Sequence, residues 1–177
     1  MCKSGRFTGT KNAKRIARPK VAFTSGIPIL VQMLASESIE ICFIWSSSQY
    51  THWENVERNG LRLSEKTEGV NKRVVRLFAY LHDHMRSWDG YDNDHGPRAA
   101  KALIDISSTL LSDLSEEEFE MLYRACKIHT SQTEPTGNPT IDCCIDADRL
   151  DLSRVGITPD PERMLTEAGK LLAEEEW

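Results

Sequence analysis

The sequence has no C-x-x-C pair and no long apolar run, and each absence removes a class of protein. Its five cysteines, Cys2, Cys42, Cys126, Cys143 and Cys144, are odd in number and scattered, which suits neither a zinc ribbon nor a disulfide framework. They are read as reduced thiols of a cytoplasmic protein. The longest uncharged stretch, Val21 to Ser36, is interrupted by Ser25, Gly26, Pro28 and Gln32. It falls short of the roughly 18 apolar residues that argue for a membrane span, so no membrane association is expected. Acidic residues are missing from positions 1–20, which carry Lys3, Arg6, Lys11, Lys14, Arg15, Arg18 and Lys20. No apolar stretch of signal-peptide type follows these bases directly, which speaks against secretion. A basic, acid-free arm can contact nucleic acid or resemble an organelle-targeting peptide. The plainer expectation is a disordered tail or a mis-assigned start.

What is present is ordinary globular material. A chain of 177 residues, 40% apolar and 28% charged with a net charge of -5, is about one domain long. The expected organisation is the basic arm at 1–20 and a single helical domain over 21–177. The apolar segments 27–34 and 39–45 are too short to separate helix from strand by period, with a leaning towards helix.

From Thr51 onward the pattern is helical. His52, Val56 and Leu63 share one face of a segment ending near Thr67, with Gly69 as its stop. Val74, Leu77, Phe78 and Leu81 form the stripe of a second helix, Asn71 to Met85, and His82 continues it four residues after Phe78. Residues 86–94 read as a loop, and Pro97 suits the first turn of a helix reaching Leu111 with His95, Ala99, Leu103, Ile106 and Leu110 inward. Ser115 with Glu118 is a capping-box pattern ahead of a stripe of Phe119, Leu122, Cys126 and His129. Ile141, Ile145, Asp148 and Leu152 recur at helical spacing, and a last helix is expected over Asp160 to Glu175 with Pro161 at its start. The predicted fold is all-α, a bundle of about five to seven helices.

Four of the five histidines, His52, His82, His95 and His129, and the carboxylates Asp83 and Asp148 thus lie on or beside apolar faces. Singly, each has a structural explanation, since a lone inward histidine is commonly hydrogen-bonded within a core. Jointly they point to a cation, because buried carboxylates are expensive without one and neutral imidazole with carboxylate is the donor set of divalent iron, manganese, cobalt or zinc. His84, on another face from the His82-Asp83 pair, can serve as a proton donor, but the plainer expectation is that it is exposed.

The ordered set His52, then His82-Asp83, then Asp148 within Asp-Ala-Asp-Arg-Leu-Asp resembles the H…HD…D signature of the HD superfamily of metal-dependent phosphohydrolases, over residues 51–152. The resemblance implies that His52, His82, Asp83 and Asp148 bind a metal on a helical core, with Asp146 a poorer choice. His95-Gly96 and His129-Thr130 are similar to the two further histidines of dinuclear members, in which the Asp of the HD pair bridges both ions. It therefore implies one or two divalent transition metals, with His95 and His129 alternatively serving substrate or proton transfer at a single ion. The implied reaction is hydrolysis of a phosphate ester, of a nucleotide or another small phosphorylated compound, by metal-bound hydroxide. Asp83, Arg86 and Arg149 are the expected catalytic residues, the arginines as holders of phosphate oxygens, with Arg98 a weaker choice. Trp88 and Tyr91 can stack on a base or close the pocket. Two other classes stay open: a dinuclear-iron oxygenase of the same superfamily, and a non-catalytic module that senses a nucleotide. The segment before His52 matches no motif of the family, and the substrate does not follow from the resemblance.

Overall fold

The computed structural model describes residues 47–86 and 92–175, with side chains from residue 51. The basic arm, the segments 27–34 and 39–45, Cys2, Cys42, Trp88 and Tyr91 lie outside the described residues. Six α-helices follow one another: α1 (Ser47–Lys66), α2 (Lys72–Leu81), α3 (His95–Ile106), α4 (Glu116–Ile128), α5 (Pro139–Leu150) and α6 (Glu167–Glu175). Short 3-10 turns lie at Asp151–Val155 and Pro161–Arg163. The described residues contain no strand and no helix long and apolar enough to cross a membrane.

Helix α2 is the axis of the bundle. Val74, Val75, Leu77, Phe78, Ala79, Tyr80 and Leu81 are all buried, so most of the helix lies in the core, and Lys72, Arg73 and Arg76 near its start form its outer side. Helices α1, α4 and α5 pack around it. Gly60 of α1 has no room for a side chain, since a Cβ there would lie 2.4 Å from Val75 Cγ1. That contact brings α1 close against α2.

The starts of α2, α4 and α5 are tied together. Asn71 caps α2 by accepting from the Arg73 and Val74 amides, while its own amide donates to Thr140 Oγ1 (2.9 Å) and its Nδ2 to Glu118 Oε1 (3.1 Å). Glu118 is the N3 residue of the capping box that Ser115 opens on α4, and Thr140 is in the first turn of α5, behind the cap Asn138 and Pro139. Three helices that share a starting level and run the same way must also finish close together. Their carboxyl ends therefore meet at the opposite end of the bundle, where helix-terminal carbonyls present partial negative charge.

Three helix boundaries differ from the periodicity. Helix α2 stops at Leu81 rather than Met85, because Phe78 O accepts both the His82 amide (2.9 Å) and His82 Nδ1 (3.0 Å) and the chain then tightens into turns. Helix α3 stops at Ile106 rather than near Leu111, where the hydroxyls of Ser107 and Thr109 donate to Ile104 O (2.8 Å) and Ile106 O (3.2 Å) and compete with helical bonds. The last helix begins at Glu167 rather than Asp160, because Asp146 draws in the amides of Leu165 and Thr166 (both 2.8 Å) and the Thr166 hydroxyl (2.7 Å). Leu152, expected on the inward stripe of α5, is 38% exposed because the helix ends at Leu150 and the 3-10 turn changes its phase.

Asp146 is fully buried and anchors α6, whereas Asp148, two residues on, is partly open to solvent. Asp146→Ala should lower the unfolding free energy by roughly 2–3 kcal/mol, as expected for lost hydrogen bonds to a charged acceptor. Urea denaturation of the variant beside wild type checks this.

Candidate metal centre

The converging helix ends carry the histidines. His82 follows the last residue of α2 and His129 the last residue of α4, and each is the C-cap of its helix. Asp148 is in the last turn of α5. Helices α1 and α3 run the other way and bring in their amino-terminal parts, His52 from α1 and His95 as the first residue of α3.

Close approach of α3 to α4 depends on Gly96. A Cβ there would lie 2.8 Å from Cys126 O and 3.2 Å from His129 Nδ1, and Cys126 O is the carbonyl that accepts from His129 Nδ1 (2.8 Å).

The structure brings the six residues of the sequence pattern into one buried space. His52 Nε2 lies 3.2 Å from His82 Nε2, and His95 Nε2 lies 2.9 Å from His129 Nε2. Asp148 Oδ1 is 3.6 Å from His52 Nε2 and 3.5 Å from His82 Nε2. Asp83 stands between the pairs: Oδ1 is 2.9 Å from His95, 3.6 Å from His129 and 3.7 Å from His82, and Oδ2 is 3.6 Å from His52. Two three-residue groups, His52-His82-Asp148 and His82-Asp83-His129, have ligand atoms within 4.8 Å of one another. Either could hold a metal ion.

Protonation sharpens the argument. The Nδ1 atoms of His82, His129 and His95 face the carbonyls of Phe78, Cys126 and Asp92, and His52 Nδ1 faces the Asp151 carboxylate at 2.6 Å. Carbonyls and carboxylates accept only, so each Nδ1 donates, and a ring in its neutral form then presents a lone pair at Nε2. Four Nε2 atoms and two carboxylates face one another at 2.9–3.7 Å. No donor makes a hydrogen bond to the buried Asp83 Oδ1. A cation removes this repulsion, and the residues present fit a divalent metal with nitrogen and oxygen ligands.

Without a metal, a proton is the only substitute. Burial opposes protonation of His82, but Asp83 and then Asp148 outweigh it and its pKa is pushed up to about 9. Burial likewise opposes ionisation of Asp83 and Asp148, yet the surrounding imidazoles, His82 foremost, hold both carboxyls below the usual carboxylate range.

His84 is buried, not exposed as its position beyond the His-Asp pair suggested. A one-sided helix cannot bury three consecutive residues, but α2 has ended at Leu81, and His82, Asp83 and His84 sit in a turn in which helical phase no longer applies. The His84 ring bonds Leu81 O, and its pKa is lowered, mainly by burial.

Of the arginines, Arg86 donates to Asp83 Oδ2 (3.1 Å) with its side chain 29% exposed, at the edge of the centre. Arg149 gives its two amino groups to the carbonyls of Gln132 and Arg163 and so braces the loop ahead of α5 against the turn before α6. Arg98 is bonded to Met85 O and Asp92. Sequence reasoning missed Asp151 and Asn55. Asp151 lies three residues after Asp148, and Asn55 three after His52, spacings that put each beside a ligand. Cys126, Cys143 and Cys144 are buried free thiols, all pushed up by burial.

Comparison with known protein families, curated proteins and solved structures finds no match.

Gly96→Ala should force α3 from α4 and weaken metal binding at the His95-His129 side while His52 and His82 keep theirs; metal titration followed by histidine NMR signals checks it. The pH response of metal-free protein follows from His82. Its folded pKa is raised, so its contribution to stability is complete below about pH 6.5 and is lost as pH rises through about 9. The two carboxylates, depressed on folding, contribute above their unfolded pKa near 4 and lose that contribution in acid. Urea melts of metal-free protein should show stability falling from pH 6.5 to 9, and His82→Gln should flatten that fall.

Proposed function

We propose that this chain is a metal-dependent phosphohydrolase that cleaves a small phosphate ester, a nucleotide being one substrate of that class. The observation that carries the reading is the convergence of four imidazole Nε2 atoms and two carboxylates in one largely buried space. The ordered resemblance of His52, His82-Asp83 and Asp148 to the HD superfamily supports it and supplies the reaction class.

His52, His82, Asp83 and Asp148 would hold one ion, and His95, His129 and Asp83 a second, with iron, manganese, cobalt and zinc all compatible with the donors. When bound, the metal supplies Lewis acidity to a phosphoryl group and acidifies water at the site. The protein's own part is position and charge. Asp83 and Asp148 stay ionised at neutral pH because the imidazoles hold their pKa down. Access runs past Asp148, whose side chain is 26% exposed while those of His52, His82, His95, His129 and Asp83 are 9% or less. Arg86 brings a positive charge to the edge of the centre through its bond to Asp83. A guanidinium there pairs with a non-bridging phosphate oxygen and neutralises charge that develops as the ester bond breaks. Arg149, committed to two carbonyls, acts on Asp148 only through its charge.

Elemental analysis of purified protein, with hydrolysis assays on p-nitrophenyl phosphate, bis-p-nitrophenyl phosphate and a nucleotide panel, tests the reading. The expected result is one to about two equivalents of transition metal and turnover of at least one ester. His82→Ala and Asp83→Ala should lose both, and Arg86→Ala should keep its metal while losing about 10²-fold in turnover, the scale of one charge-stabilising group. Unchanged metal content in the first two variants, or oxygen consumption without phosphate release, would overturn the proposal.

A further inference from the structure

The four imidazoles are not held alike. Those of His82, His129 and His95 give their Nδ1 protons to neutral backbone carbonyls. His52 gives its own to a carboxylate, Asp151 Oδ2, at 2.6 Å. A charged acceptor makes a shorter and stronger bond than a neutral one, and withdrawing the Nδ1 proton raises electron density at Nε2.

Asp151 is itself fixed on both oxygens. Asn55 Nδ2 donates to Oδ1 at 2.7 Å, and Arg154 Nε donates to Oδ2 at 3.0 Å. The carboxylate is buried, with its side chain 4% exposed. Its two partners on α1, His52 and Asn55, are three residues apart and reach it from one helical face. Asp151 opens the 3-10 turn directly after α5, three residues beyond Asp148. One short piece of backbone thus carries a ligand, Asp148, and the acceptor behind a second ligand, His52.

We propose that Asp151, supported by Asn55 and Arg154, is a positioning residue that holds His52 with Nδ1 protonated and Nε2 free, and so makes the His52-His82-Asp148 group the half of the centre that takes the first metal ion. The inference rests on the metal-centre reading above. It goes beyond that reading by ranking two halves whose ligand types are otherwise similar. The second half, with His95 and His129 backed only by carbonyls, fills later.

The test uses the full chain, Zn²⁺ as the probe at one fixed pH, and ¹⁵N-labelled histidine. In metal-free wild type the His52 signals should report the Nδ1–H tautomer. The first equivalent of Zn²⁺ should move His52 and His82, and the second His95 and His129. Asp151→Asn keeps the shape and removes the charge. It should weaken the first binding step by about 10- to 100-fold, as loss of a partner behind a ligand does, and abolish the order of filling. Asp151→Ala should also leave His52 with mixed tautomers, and Asp151→Glu should restore part of the affinity. A residue that merely ties α1 to the end of α5 would alter unfolding but not the first Zn²⁺ affinity of a folded Asp151→Asn protein, and that result overturns the proposal. So does response of His95 and His129 at the first equivalent in wild type. Absence of any Zn²⁺ response in wild type would overturn the metal centre itself, which separates the two failures.

Discussion

The structure turns on a repulsion. Four imidazole nitrogens and two carboxylates, each a lone-pair donor when unprotonated, face one another in a space largely closed to water. In a low-dielectric interior such an arrangement is unfavourable unless positive charge occupies it. The backbone leaves the rings no relief by tautomer exchange, because each Nδ1 is already committed to an acceptor-only partner. The fold therefore imposes a demand for a cation that no single residue creates.

Helix direction is what concentrates the demand. The capping groups of α2, α4 and α5 interlock through Asn71, Glu118 and Thr140 at one end of the bundle. At the other end the last turns deliver His82, His129 and Asp148, together with the partial negative charge of three helix termini. Two carbonyls of those turns, Phe78 O and Cys126 O, fix the orientation of His82 and His129 by accepting from their Nδ1 atoms. Capping at the start and ligand placement at the finish are thus two ends of one constraint. Gly60 and Gly96 supply the close approaches that let α1 and α3 reach the same level from the opposite direction.

The sequence carried much of this arrangement because helical period and burial coincide. His52, His95, His129 and Asp148 fall on stripes that the structure buries or half-buries, and the all-helical class follows from the same stripes. Period alone fails where the chain leaves the helix. An outer-face position for His84 requires α2 to continue beyond Leu81, whereas the chain has already turned there. Arg149 and Asp146 are next to Asp148 in sequence but are turned to the loop and to α6, a division of labour set by tertiary partners that spacing does not report. Asp151 was within the quoted motif and went unused, because a carboxylate that serves another residue's ring has no periodic signature of its own.

The same geometry links folding to occupancy. A proton on His82 partly answers the repulsion in the metal-free chain, held there by Asp83 and Asp148, but one proton is a single charge against two carboxylates. A divalent ion bound there would replace that proton, so its binding and the release of the proton would be coupled, and affinity would rise with pH until His82 is deprotonated. Stability and chemistry then depend on the same atoms. An ion held by these groups would sit close to Asp148, which is partly open to solvent, and to Asp83, which Arg86 bonds. A phosphate ester arriving at that opening would meet positive charge from both the ion and the guanidinium. The fold's least comfortable contact and its proposed reaction centre are one place, because only an unsatisfied buried set can hold a cation tightly and still leave one side of it exposed.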